Sequence, residues 1–147
     1  MRITRHTDYA LRLMMHLGLY RNRLVTVGEV ADAHGISRHH LMKVAQRLAA
    51  LGYIEAVPGR GGGLSLACEP EAVNIGRLVR EVEPDLCLVE CFDPQSNTCP
   101  IAGVCRLQGV LGKALAAFLA ELDGSTLVDL LRRPGRLRAR LEAGTAA

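Results

Sequence analysis

Residues 26–66 constrain the fold most tightly, because two short capped helical patterns meet at a single glycine turn and run straight into a glycine-centred hairpin. Thr26-Val27-Gly28-Glu29 has the capping-box pattern, in which a hydroxyl and a carboxylate three residues on satisfy each other's orphan backbone donors. Gly35 closes the helix that follows and Ser37 opens the next one. Leu41, Val44, Leu48 and Leu51 recur as that helix's buried stripe before Gly52 ends it. Residues 53–57 and 64–66 read as strands around the tight turn Pro58 to Gly63. Helix, turn, helix and hairpin in that order predict a winged helix-turn-helix, with the helix after Ser37 in the reading position.

The flanking segments complete the architecture. Ala10, Leu13, Met14 and Leu17 predict an amphipathic helix over residues 4–20, and Ile75, Leu78, Val79 and Val82 a short helix ended by Pro84. Residues 84–105 sustain no period and carry four of the five cysteines. From residue 106 the stripe Leu107, Val110, Leu111, Ala114, Leu115, Phe118 and Leu122 demands a partner surface. A chain of 147 residues leaves few elements to cover it, so a homodimer built on this helix is expected, with packing inside one chain as the alternative. Thr126 caps a last turn through Leu131. The expected fold is therefore mainly α with a small β-hairpin wing: a winged helix-turn-helix domain over 1–83, an irregular loop over 84–105, a long dimerisation helix and last short helix over 106–131, and a flexible basic tail over 132–147.

Charge is distributed in a way that the total of +3 conceals. Residues 1–60 hold nine Lys/Arg against four Asp/Glu, residues 61–129 four against ten, and residues 130–147 five against one. Basic ends around an acidic middle suit an anionic partner that meets the first segment. With 3% aromatics and no Trp, little is available to stack on single-stranded bases, so duplex DNA is the expected partner. The N-terminal residues lack a signal core and no apolar run approaches bilayer length, which predicts a cytoplasmic protein with no membrane partner. The histidines His6, His16, His34, His39 and His40 show no paired carboxylate and nucleophile, so no enzyme activity is expected.

Arg38, His39, His40 and Lys43 on the first turns after Ser37, with Gln46 and Arg47 a turn later, can donate to base edges and phosphates in the major groove. Arg60, Gly61 and Gly62 sit at the wing tip, where glycine permits close backbone approach and arginine suits a narrow minor groove. A nucleotide loop is the rival reading of these glycines, but the Lys-Ser/Thr ending and strand-to-helix context are missing.

Cys91, Cys99 and Cys105 lie in a segment too irregular to have been built for packing. Iron-sulfur clusters need thiolates on backbone that can wrap them. On spacing alone zinc stands level with a cluster, because Cys87 and Cys91 have finger-like spacing, and a metal-free thiol switch is the third reading. Cys68 reads as a small buried apolar residue.

These residues, taken together, resemble the winged-helix iron-sulfur transcriptional regulators of bacteria, and among them the nitric-oxide-sensing repressors. The resemblance spans about residues 1–131. It rests on Thr7-Asp8-Tyr9-Ala10-Leu11-Arg12, on Ser37-Arg38-His39-His40-Leu41-Met42-Lys43-Val44, on Gly62-Gly63, on Leu78-Val79-Arg80-Glu81-Val82-Glu83-Pro84, and on Cys99-Pro100-Ile101 through Cys105-Arg106-Leu107. It implies that Cys91, Cys99 and Cys105 hold a cluster of the 4Fe-4S type, with 2Fe-2S as the alternative, and that Asp8 of the partner protomer is the fourth ligand. It further implies repression through operator DNA and release when nitric oxide arrives. An iron- or redox-responsive regulator of the same family, or a zinc-stabilised winged-helix repressor, is the alternative function. His39 stands where relatives often carry asparagine, Pro58 where a basic residue is common, and Gln108 where a sister regulator places a ligating histidine.

Overall fold

The structure, a computed structural model, describes residues 2–145. Helix α1 (Arg5–Leu19) starts at Thr4, whose Oγ1 accepts from Thr7 N at 3.3 Å. Its apolar face places Ala10, Leu13, Met14 and Leu17 in the core. Thr26 caps α2 (Val27–His34) by accepting from Glu29 N at 3.1 Å, while the Glu29 carboxylate pairs with Arg23. Gly35 takes a left-handed φ of 63° and lets the chain turn into α3 (Arg38–Ala50). Ser37 occupies the N-cap position of α3 without a side-chain capping bond. Leu41, Val44 and Leu48 of α3 lie against the α1 and α2 apolar residues, which makes one head core.

Strands β1 (Ile54–Val57) and β2 (Gly63–Leu66) form the expected antiparallel hairpin, in register from Ile54↔Leu66 to Val57↔Gly63. A backbone bridge between Val25 and Leu64, with bonds of 3.0 and 2.8 Å, ties the hairpin to the α1–α2 connection. Helix α4 (Ile75–Val82), capped by Asn74, sends Leu78 and Val79 into the same core. The chain then runs irregularly, apart from one 3-10 turn at Glu90–Phe92, to α5 (Arg106–Asp123). Helix α6 (Leu127–Leu130) follows a capping box between Thr126 and Asp129 and returns Leu127 to the head. The architecture is thus mainly α with a hairpin wing.

The flexible tail is corrected. Pro134–Thr145 forms α7, which packs against α2, while Ala146 and Ala147 lie outside the described residues. Pro134 suits a first helical position, and Leu137 and Leu141, four residues apart, give the helix an inner edge. The Arg138 guanidinium donates to the Leu19 carbonyl and lies 5.5 Å from the Tyr20 ring centre. Two leucines among three arginines make too short a stripe to signal a packed helix from sequence.

Candidate nucleic-acid interface and thiol loop

The two helices and the hairpin present one polar surface. Leu41, Val44 and Leu48 anchor α3 inward, which leaves Ser37, Arg38, His39, His40, Lys43 and Arg47 exposed. These six are not equivalent. Arg38 is held by Asp32 of α2 at 2.9 Å, and Arg47 donates to the Glu81 carbonyl at the end of α4 at 2.8 Å. His39 and His40 stand ring to ring at 6.2 Å, and His40 and Lys43 border a shallow groove with Arg5, His6 and Tyr9 of α1. The hydrogen-bonding front is therefore centred on His40 and Lys43, while Arg47 doubles as a brace to α4.

The wing tip is fixed by geometry. Gly62 N donates to Gly59 O at 3.0 Å and Gly61 has φ of 77°, the pattern of a type II turn with Arg60 at its leading corner. A Cβ on Gly62 would stand 2.1 Å from the Val57 carbonyl, so any side chain there breaks the hairpin. Both positions answer to the turn itself, and Arg60 is left exposed at the tip.

All five cysteines are free thiols. Cys91, Cys99 and Cys105 are half-buried, on the 3-10 turn, in the following loop and at the α5 N-cap respectively. Gln108 of α5 donates to the Cys91 carbonyl at 2.9 Å and so fastens the loop to that helix. Among the described residues, no three His, Cys, Asp or Glu side chains are gathered as a metal-holding group, so the thiols share a loop without converging. The donor chemistry nevertheless fits an iron-sulfur group: three soft, unpaired thiols sit on backbone free of helix or sheet ladders for most of its length. Cys87 is exposed, and its thiol is pushed up by the Asp85 carboxylate, which disfavours thiolate. Asp8, on the first turn of α1, is held by Arg12 through contacts of 3.1 and 2.8 Å. Cys68 packs half-buried against the core.

Two buried groups escaped the sequence reading. Glu83 is 7% exposed and accepts from Thr4 N at 3.0 Å and Thr4 Oγ1 at 3.2 Å. His16 lies beneath α2 and α7 with Nδ1 3.2 Å from His34 Nε2, and no hydrogen-bond partner reaches its Nε2. Burial, then the charge of His34, push its pKa down to about 4 against the pull of Glu29. Its signal was latent in the α1 pattern, since His16 sits beside the apolar positions 13, 14 and 17 on the inward face.

Helix α5 has no fully buried residue, and Leu107 and Val110 are each 60% exposed, with Val104 83% exposed just before it. Among the described residues no helix is long and apolar enough to cross a membrane. A winged helix-turn-helix head, a thiol-bearing loop and an uncovered apolar arm define a DNA-reading regulator class.

Comparison with known proteins gives the family. The Rrf2 family model, described as an iron-dependent transcriptional regulator, matches residues 3–133. The HTH-type transcriptional regulator NsrR of Shouchella clausii is 47% identical over 146 residues, covering 99% of this chain and 98% of the relative. NsrR of Bacillus subtilis is 47% identical over 133 residues, covering 90% and 91%. Among solved structures, the cysteine regulator CymR of B. subtilis superposes with a TM-score of 0.70 at 23% identity, over 88% of this chain and 95% of that one. IscR of T. potens gives 0.72 at 22%, over 90% and 87%. The chain belongs to the Rrf2 family of transcriptional regulators.

Proposed function

We propose that this chain is an iron-sulfur-dependent repressor that binds operator DNA as a homodimer and releases it when nitric oxide reaches its cluster. One observation carries the reading: three unpaired, half-buried thiols, Cys91, Cys99 and Cys105, lie between a winged helix-turn-helix head and a helix whose apolar side is uncovered. The near-full-length similarity to NsrR regulators supports it.

In this reading residues 1–83 recognise DNA, 84–105 hold the cluster and 106–131 dimerise through Leu107, Val110 and their neighbours. Ser37, Arg38, His39, His40, Lys43 and Arg47 enter or border the major groove, and Arg60, Gly61 and Gly62 approach the minor groove. Cys91, Cys99 and Cys105 would hold the group, with Asp8 of the other protomer as the oxygen ligand. When bound, the group, of 4Fe-4S type, supplies iron that nitric oxide can attack. A carboxylate among thiolates is the hard member of a soft set and the ligand most easily exchanged. Asp8 must leave Arg12 to take that role. Because Asp8 belongs to the head and the thiols to the loop, keeping the set together fixes the spacing of the two heads, and losing it frees them. Half-sites about one helical turn apart require that spacing.

The test is a gel shift on full-length protein of measured iron content, with and without nitric oxide. Nitric oxide should abolish the shift of wild type, and Asp8→Ala should shift DNA weakly and respond little. A colourless protein with unchanged DNA binding after nitric oxide would falsify the proposal.

A further inference from the structure

We propose that the outer face of α7 is a phosphate-contacting surface that widens the DNA interface beyond α3 and the wing. The inner side of α7 is occupied: Leu137 and Leu141 are half-buried and Arg138 is fastened to Leu19 and Tyr20. Arg136 and Arg140 are exposed and four residues apart, which places them on one side of α7 about 6 Å apart along its axis, and exposed Arg133 stands at the left-handed turn just before the helix. No carboxylate pairs with these three among the described residues, whereas Arg12, Arg23 and Arg38 of the head each meet one. Glu142, the only acidic residue after Asp129, borders the groove that α7 shares with α2 rather than standing in that row.

The position of α7 supplies the partner. The same groove is bordered by Asp32, Ala33 and Leu141, and Asp32 grips Arg38 in the first turn of α3. The later turns of α7 thus lie beside the end of the head where the reading helix begins. In a helix-turn-helix complex the first helix crosses the sugar-phosphate backbone while the second enters the groove. A helix lying along α2 is then set against that backbone, and guanidinium groups without protein partners suit phosphate oxygens. The contact carries no base information, since phosphates are the same in every sequence.

This inference rests on the reading of α3 and the wing as the DNA interface, and the test separates the two. Full-length wild type, Arg136→Gln/Arg140→Gln and Arg136→Lys/Arg140→Lys are titrated with a mixed-sequence duplex and with the genomic duplex that wild type binds most tightly, across a salt series. Each lost phosphate contact lowers the steepness of log K against log salt by about 0.9, so the Gln pair should flatten it by about 2 per protomer. Both duplexes should weaken by the same factor, and the Lys pair should keep most of the slope. An unchanged slope in the Gln pair, a loss confined to the genomic duplex, or an equal loss in the Lys pair overturns the α7 surface alone. Wild type that binds neither duplex overturns the DNA-interface reading and this one with it.

Discussion

His16 should make the head acid-sensitive in a way that one substitution removes. The ring is 2% exposed, its Nδ1 meets His34, and its Nε2 faces Glu29 Oε1 at 3.9 Å, too far for a hydrogen bond. Tyr20 covers it at 4.9 Å between ring centres, Arg23 pairs with Glu29 alongside, and Asp32 and Glu142 border the same groove from α2 and α7. Burial chiefly, then His34, hold its pKa at about 4 against 6.5 for a free imidazole. Between those values the unfolded chain binds a proton that the folded chain refuses. Stability is therefore complete above about pH 6.5 and drains as pH falls toward 4. At 1.36 kcal/mol per unit, the depression amounts to about 3 kcal/mol. His34, also held low by burial and by Arg12, acts in the same direction.

The measurement is a set of urea unfolding curves for wild type and His16→Gln, from about pH 8 to about pH 4.5. Glutamine keeps an amide for His34 and does not titrate. Carboxylates held low, such as Glu29 and Asp129, lose their contribution at more acid pH and do so in both proteins. The wild type should lose up to about 3 kcal/mol more than the variant as pH falls. Parallel curves over this range would refute the reasoning, because they would mean that folding leaves the ring free to protonate.

Three further outcomes test the fold and the interface. Gly76→Ala places a Cβ 2.0 Å from Asp123 Oδ1 and 2.8 Å from Asp123 N, so the unfolding free energy from urea curves should drop by about 1–3 kcal/mol, and Asp123→Ala in the same chain should not restore it, because the backbone contact stays. Gly62→Ala, at 2.1 Å from the Val57 carbonyl, should unpair the wing turn and weaken DNA binding more than Gly61→Ala, whose added Cβ meets no atom and only strains φ; anisotropy titrations rank the two. Lys43→Ala should flatten the salt dependence of DNA binding by about 1, whereas Arg47→Ala, whose guanidinium also braces Glu81, should lower stability as well as DNA binding, as paired binding and urea curves will show.

What the sequence revealed followed the range of the interactions concerned. Caps and turns are local chemistry, and Thr26, Gly35 and Gly61 declared the helix-turn-helix and hairpin in windows of a few residues. The periodic stripe of α5 was equally visible because seven apolar positions repeat in it. Helix α7 was not, since it depends on Arg138 finding Leu19, 119 residues away. The same holds for Arg47, named as a DNA contact from its exposed position, whose bond to Glu81 spans 34 residues. The thiols were legible as a set by type and spacing, while their mutual arrangement depends on a loop that no period governs.

The connections around that loop indicate where its rearrangement would be felt. Glu83, the last residue before Pro84, is buried and holds Thr4 by two hydrogen bonds, so the start of the loop is pinned to the start of α1, the helix that carries Asp8. At the other side Gln108 fastens Cys91 to the first turn of α5, and Asp123 at the far end of α5 grips Arg80 of α4 at 2.6 and 2.7 Å. Residues 84–105 are thus strung between two anchored helices rather than hanging free. The hydrogen bonds inside the loop are local turns, such as Asn97 N to Asp93 O and Cys99 N to Asn97 Oδ1, so a displacement of the thiols is passed to the attachments at Thr4 and at Gln108. The first orients the head and the second orients the apolar arm, so under the proposed function a change in the ligand set acts on α1 and α5 together.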